Sequence, residues 1–435
     1  MDLRERLRLL KAAGAARAAA DRAPRAAAPL PFDRARPQTG PAGEPLPFRL
    51  CDGLEGELVP TGAGSAFRLE SRHPLTEHRG PLPLGWPLDL PAAVWPRLGR
   101  VAPEFDIRRA VFLDTETTGL AGGTGTYAFL VGLGFFEGDH FVVRQYFLRD
   151  YPEEEAMLAA IEADVAPFTC LVTFNGKSFD WPLLETRFRM ARRRPPLAGA
   201  PHLDLLHPAR RLWRDRLGSC SLQDLERNVL GEYRVGDVPG SQIPALYFEY
   251  LRTGDASPLA GVVEHNRLDI LSLAALAGRM GQMVADPLGP TPDGELLCGD
   301  DLYQLGRLFE ARGLLADALA CYQEARVRGA ASVTEAVLLR RLSFAYKRAR
   351  EQRQAVAIWE QMVESGGLAL FPYIELAKYH EHVTRRYDLA EALTARALAV
   401  AEQRRSLTAA GGQAEYREVL HRLERLRRKR QRSSV

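Results

Sequence analysis

Asp114 and Glu116 stand one residue apart at the end of a short apolar run, Ala110-Val111-Phe112-Leu113, and lead straight into Thr117-Thr118-Gly119-Leu120. Side chains at i and i+2 of a strand share a face, so Asp-Thr-Glu sets two carboxylates side by side at a strand's end. Like charges that close repel each other. A divalent cation relieves the repulsion, because hard ions such as Mg²⁺ take oxygen ligands while keeping part of their water shell. The pair therefore points to a metal site that needs further ligands.

Two other segments offer them. Thr173-Phe174-Asn175-Gly176-Lys177-Ser178-Phe179-Asp180 reads as a strand end, an Asn-Gly turn and a helix opened by Asp180, where Asp is either a ligand or a helix cap. Glu264-His265-Asn266-Arg267-Leu268-Asp269 starts a long apolar-periodic helix. Positions i and i+4 share a helix face, so His265 and Asp269 point together, although such a pair alone is more often a surface hydrogen-bonded couple. His202 and Asp204 make a further pair, left outside the set because an Asp ahead of a helix is commonly a cap. Gly122-Gly123-Thr124-Gly125 lacks the Gly-Lys-Ser/Thr ending of a phosphate loop and opens no helix, so it reads as a loop beside the site.

The elements that must position these residues lie between 108 and about 285. Val111–Leu113 reads as a strand. Tyr127–Phe136 and Phe141–Leu148 read as an antiparallel hairpin turning at Glu137-Gly138-Asp139-His140. A helix over Glu153–Asp164, a strand over Leu171–Phe174 and a helix over Trp181–Met190 follow. Three strands and then α-β-α predict an α/β unit, a mixed sheet with helices on both faces.

In that order, Asp114-x-Glu116, Asn175-x-x-x-Phe179-Asp180 and His265-x-x-x-Asp269 resemble the three exonuclease motifs of the DEDD superfamily of ribonuclease-H-like 3′→5′ exonucleases, over about 106–283. Leu217-Gly218-Ser219-Cys220-Ser221-Leu222, with Leu225 and Leu230-Gly231, is similar to the helical segment between the second and third motifs in the proofreading domain of family B DNA polymerases. Thr-Phe-Asn-Gly-Lys-Ser-Phe-Asp together with a helical-repeat tail resembles a bacterial group of predicted ribonuclease-H-like proteins.

The resemblance implies a ribonuclease-H-like mixed sheet flanked by helices and a metal-dependent 3′→5′ exonuclease acting on single-stranded ends of DNA or RNA, with two Mg²⁺ or Mn²⁺ ions about 3.5–4 Å apart. It implies that Asp114 bridges both ions, that Glu116 and Asp269 hold the water-activating one, and that Asp180 acts on the second, largely through water. His265 is the implied general base, its ordinary pKa lying near neutral pH. One departure stands out. The histidine subclass places one more residue between His and Asp, and here His occupies the place of the tyrosine subclass. Asn175 and Phe179 are candidates to align the terminal nucleotide, and Thr115 to offer a backbone amide near the scissile phosphate, each equally able to serve the turn or the core. Lys177 is a candidate phosphate contact or a solvated lysine. Sugar discrimination depends on pocket shape, so these motifs do not separate DNA from RNA.

The rest of the chain bounds the reading. At 435 residues two or three folded units are expected. Charged residues at 26% and hydrophobic ones at 46% are near average, and no stretch approaches the apolar length of a membrane span, so no membrane partner is expected. Net charge is only +3, with arginine concentrated at both ends. Cys51, Cys170, Cys220, Cys298 and Cys321 form no Cys-x-x-Cys pair, which argues against a zinc knuckle or disulfide framework and for a reducing compartment. With no apolar signal core at the start, and Asp2, Glu5 and Asp21 against a transit peptide, a cytoplasmic protein is expected.

Residues 1–47, rich in Ala, Arg and Pro, read as a disordered tail whose first 20 residues could form an amphipathic helix on Leu3, Leu7 and Leu10. Residues 48–105 read as a small β-containing lead-in, and 106–285 as the nuclease domain. Residues 296–402 read as an all-α domain of tetratricopeptide-like helical repeats. Leu302, Leu305, Gly306, Phe309, Ala318, Tyr322 and Ala325 fall at the pattern's offsets. Leu339, Leu342, Ser343, Tyr346, Ala355, Trp359 and Met362 repeat them. Tyr373, Leu376, Ala377, His380, Ala390, Thr394 and Ala397 do so with one extra residue in the turn. Stacked pairs bury a shared core and offer a surface for a protein partner. Residues 403–435 read as a basic tail, Arg422 to Arg432, either contacting phosphates or solvated. A second class of function fits the same features: an interaction scaffold in which the repeats act and an inactive nuclease-like domain only binds nucleic acid.

Overall fold

The structure, a computed structural model, describes residues 45–119, 125–291, 294–407 and 413–433. The expected tail at 1–47 lies outside the described residues as far as residue 44, with its amphipathic helix, as does the Gly122-Gly123-Thr124 loop; the tail's last residues, Leu46 and Pro47, are instead part of a strand. Strands β1 (Leu46–Cys51), β2 (Leu54–Thr61) and β3 (Gly64–Pro74) come first, then a short ribbon, β4 (His78–Arg79) and β5 (Leu82–Pro83), and helices α1 (Trp86–Asp89) and α2 (Val94–Leu98). The expected hairpin follows strand β6 (Ala110–Thr117): β7 (Ala128–Glu137) and β8 (His140–Phe147) pair with Glu137 opposite His140, and Gly138 at φ +59° makes the turn. Then come α3 (Glu154–Val165), β9 (Cys170–Thr173), α4 (Asp180–Met190), β10 (His202–Asp204), α5 (Leu206–Leu217), α6 (Leu222–Leu225) with a π turn Glu226–Leu230, α7 (Ile243–Thr253) and α8 (Leu259–Ala285).

Eight strands form one mixed sheet in the order β1-β2-β3-β8-β7-β6-β9-β10. Strands β6, β9 and β10 are parallel and the other pairs antiparallel. This corrects the expectation of a separate lead-in at 48–105. Strand β3 zips along β8 from Phe67 opposite Phe147 to Pro74 opposite His140, so the first three strands extend the sheet. The reason is physical: the apolar edge of β8 would otherwise be an open pairing template, and buried Phe67 and Leu69 give β3 an apolar side to lay against it.

Alternation along β6 sorts the two faces. Ala110 and Phe112 join the cluster containing Ile270–Val284 of α8, with Trp95 and Trp213, whereas Val111 and Leu113 join the one containing Met157, Leu184, Phe188 and Tyr247 of α3, α4 and α7. Helix α8 is long and apolar enough to cross a membrane by length and composition, which corrects the expectation that no stretch would be, but 78% of that window is buried inside the protein. Its apolar residues form the core. Gly132 and Gly134 of β7 let it approach: a Cβ at Gly132 would lie 2.3 Å from Asn266 Oδ1, and one at Gly134 would lie 2.5 Å from Ile270.

The C-terminal region is all helical. Helices α9 (Gly299–Ala311) and α10 (Leu315–Arg328), α11 (Glu335–Arg348) and α12 (Gln352–Glu364), and α13 (Phe371–His382) and α14 (Tyr387–Leu407) form three consecutive pairs. The repeat positions named from the sequence are buried, His380 excepted, which is half-buried. The third turn, 383–386, is one residue longer than 312–314 and 349–351. This region shares one continuous apolar cluster with the α8 face of the sheet. Polar contacts reinforce the junction, Arg216 to Asp301 at 3.3 Å and Gln304 to Asp215 at 2.9 Å.

The expected basic tail at 403–435 is also corrected. Helix α14 runs on to Leu407, and α15 (Gln413–Ser433) buries Val419, Leu423 and Leu426. Apolar residues at helical spacing give that stretch a packing face, and Arg422, Arg425, Arg427 and Arg430 have acidic partners on α13 and α14.

Candidate active site

Strand β6 loses its neighbour β9 beyond Phe112, where the parallel register ends at Val172, so Asp114–Thr117 line an open notch at the strand ends. A register shift between Glu116 and Thr117 marks a bulge there. By the pleat, Asp114 and Glu116 face α8, and contacts agree. Asn266 of α8, fully buried, donates to Asp114 Oδ2 at 2.8 Å and accepts from Gln145 at 2.9 Å. His265 places Nε2 at 3.9 Å from Glu116 Oε1 and 3.6 Å from Asp269 Oδ2. One ligand atom each from Glu116, His265 and Asp269 all lie within 4.8 Å of one another.

Asp180 comes from the other face. It is the first residue of α4, and the Thr115 hydroxyl donates to its Oδ1 at 2.6 Å. The turn before it is rigid. Asn175 takes φ +66°, a left-handed conformation Asn tolerates, and a Cβ at Gly176 would lie 2.6 Å from Thr173. Asp204 fixes that turn by accepting from the backbone N–H of Asn175 at 2.8 Å, Lys177 at 3.1 Å and Leu206 at 3.1 Å. His202 bonds Thr173 at 2.8 Å, and burial, helped by Lys177, pushes its pKa down to about 4. His202 and Asp204, left outside the ligand set, thus shape the loop, and Asp204 also accepts from the first N–H of the helix that follows it. Lys177 and Phe179 are exposed, Phe179 with 57% of its surface in solvent, which is unusual for an aromatic next to a buried acid.

The acids crowd. Burial first, then the charges of Asp269, Asp180 and Glu116, hold the Asp114 carboxyl well above the usual range. Glu116 is raised well above its usual value by burial and by Asp269, Asp180 and Asp237. Burial lifts Asp180 to about 6 against the pull of the Thr115 hydrogen bond, and lifts Asp269 against Arg234 and His265. The site therefore carries more negative charge than the fold alone neutralises, which is the electrostatic condition for a cation.

Sequence reasoning missed a second layer. Arg234 pairs with Asp269, with Glu226 of the π turn at 2.5 Å and with Asp237 at 3.3 Å. Asp237 Oδ1 lies 2.7 Å from His265 Nδ1. Burial works against the Arg234 charge, but the Glu226 hydrogen bond and the Asp269 charge raise its pKa. Exposed Tyr233 and Val235 flank it. The Ser219–Leu230 stretch, with Ser221 capping α6 through Asp224 N–H, delivers Glu226 to this layer.

A family model described as RNase_H_2, of the RNase_H superfamily, matches residues 111–281. The uncharacterized protein YprB of Bacillus subtilis (strain 168) is 34% identical over 322 residues, covering 73% of this chain and 74% of its own length. The family B DNA polymerase from the hyperthermophilic archaeon Pyrobaculum calidifontis aligns in structure with a TM-score of 0.30 at 13% identity, over 57% of this chain and 34% of the polymerase chain. A likeness that slight adds nothing to the assignment. The sheet and its acid notch define a nuclease-like fold. Residues 111–281 form an RNase H-like domain, and the chain belongs to the family that includes YprB.

Proposed function

We propose that this chain is a metal-dependent 3′→5′ exonuclease acting on single-stranded nucleic-acid ends. The observation that carries the reading is convergence: acids from three segments far apart in sequence meet at one notch, with Glu116, His265 and Asp269 ligand atoms within 4.8 Å and the charges of Asp114 and Asp180 felt by their neighbours. Asp114, Glu116, Asp180 and Asp269 would hold two Mg²⁺ or Mn²⁺ ions. Such ions, when bound, would activate the attacking water and stabilise the leaving oxygen. Exposed Phe179 offers a stacking surface for a terminal base, with Asn175 beside it and Lys177 available to a phosphate. Thr115 orients Asp180 through its hydroxyl, and its backbone amide is the group we assign to the scissile phosphate.

The helical region we read as tetratricopeptide-like, with a groove of about 740 Å³ between α11, α13 and α15 suited to a protein partner. What weighs against a scaffold with a dead nuclease domain is the complete acid set. Purified protein with Mn²⁺ or Mg²⁺ should convert a 5′-labelled single-stranded oligonucleotide into a ladder of shorter products, and Asp114→Ala should abolish it. Absence of metal-dependent shortening on both DNA and RNA refutes the enzyme reading.

A further inference from the structure

We propose that His265 is itself a ligand, through Nε2, of a first-row transition-metal ion shared with Glu116 and Asp269, and that Asp237 positions it. This rests on the metal-site reading above and assigns the coordination and the kind of ion. Two ligand atoms about 2.1 Å from a common ion lie roughly 3–4 Å apart. His265 Nε2 sits 3.6 Å from Asp269 Oδ2 and 3.9 Å from Glu116 Oε1, inside that window and beyond hydrogen-bond distance. The ring is about nine-tenths buried, which limits the reorientation that a proton carrier facing substrate would need.

The other ring nitrogen decides the orientation. Asp237 Oδ1 is 2.7 Å from Nδ1, so the neutral ring donates there and turns the Nε2 lone pair toward the two carboxylates. A ligating histidine almost always gives its second N–H to a carboxylate or carbonyl, which fixes the tautomer and raises its basicity. Arg234 completes the support. It holds Asp237 at 3.3 Å and engages Asp269 through Oδ1, leaving Oδ2 on the His265 side. A ligand needs only the position that His265 Nε2 already has, facing Glu116 and Asp269. An imidazole among the ligands changes the ion. Mg²⁺ prefers oxygen donors in a near-octahedral shell, while Mn²⁺ and its neighbours accept nitrogen as well.

The test uses the full chain loaded with Mn²⁺ and read by electron spin-echo envelope modulation. The expected result is ¹⁴N modulation that is lost in His265→Gln and that changes frequency when the protein is made with ¹⁵N-histidine, a control needing no substitution. Asp237→Asn should weaken Mn²⁺ binding by about 10–100-fold with the circular dichroism spectrum unchanged. Mn²⁺ should outcompete Mg²⁺, and the gap should narrow in His265→Gln. Bound Mn²⁺ without ¹⁴N modulation, or modulation that survives His265→Gln, overturns the proposal. Oligonucleotide shortening without modulation removes only the histidine ligand. Modulation without shortening keeps the ligand and removes the exonuclease. No Mn²⁺ binding removes the histidine ligand, and the exonuclease reading then rests on Mg²⁺-dependent shortening alone.

Discussion

Asp180 ties the notch to pH. Its carboxyl is lifted from the ordinary 3.8 to about 6, chiefly by burial, and Asp114, Glu116 and Asp269 are raised with it. A carboxyl whose folded pKa is raised favours the folded state while protonated, and that contribution is lost as pH rises through the folded value. In chelator the protein should thus melt at a higher temperature near pH 5 than at about pH 7.5, with the fall spanning the ordinary carboxylate range up to about 6 and beyond. A divalent cation should reverse the trend, since it binds the ionised form. Calorimetry with and without Mn²⁺ at both pH values checks this, and a flat apo profile would contradict the crowded-acid account. By the same reasoning Asp114→Asn, which removes one charge and keeps the shape, should raise the apo melting temperature above about pH 7 while cutting the stabilisation by Mn²⁺.

At the scale of elements, the contact of α8 with β7 sets the site. Asn266 bridges Asp114 and Gln145 only because Gly132 leaves room, a Cβ there lying 2.3 Å from its Oδ1. Gly132→Ala should push Asn266 off both partners and leave a buried amide unsatisfied, costing about 1–3 kcal/mol of unfolding free energy and weakening Mn²⁺ binding together. Denaturant melts and metal titration read the two effects, and a loss of one without the other would break the proposed link. The elements themselves were largely legible: the β7–β8 hairpin, α3, β9 and α4 fall within a residue or two of the expected spans, because period-2 and helical patterns are local. Asp114 and Asp180 carry the same local signal near the end of β6 and at the start of α4, whereas α8 begins at Leu259 rather than at the expected Glu264, which leaves Asp269 in the helix interior. Two things were not legible. The joining of β3 to β8 is a long-range pairing that no local pattern encodes. Arg234 and Asp237 sit between α6 and α7 outside any helix or strand and gain their roles from His265 and Asp269, 28 and 35 residues onward. A usable signal was Arg-x-x-Asp beside an aromatic in a short polar loop, too common to single out.

For the whole molecule, the question is whether the basic C-terminus serves substrate or structure. Glu381 on α13 has a side chain only 1% exposed and is met by Arg422 at 2.7 Å, Arg425 at 3.0 Å and Lys429 at 3.3 Å of α15. Arg427 and Arg430 face Glu391 of α14 at 3.2 and 2.9 Å. Cations held by acids of their own fold release few counterions on meeting a phosphate chain, so they contribute little to the salt dependence of nucleic-acid binding. They matter to the fold instead, because stripping the partners from a buried carboxylate costs about 3–5 kcal/mol. Removing residues after Leu420 should therefore lower the melting temperature of the chain and leave the salt slope of single-strand binding unchanged. Glu381→Gln, which removes the charge while keeping the shape, should recover part of that loss in the shortened protein but not in the full one. An altered salt slope with unchanged stability would return α15 to the substrate path and make its contacts with Glu381 and Glu391 incidental.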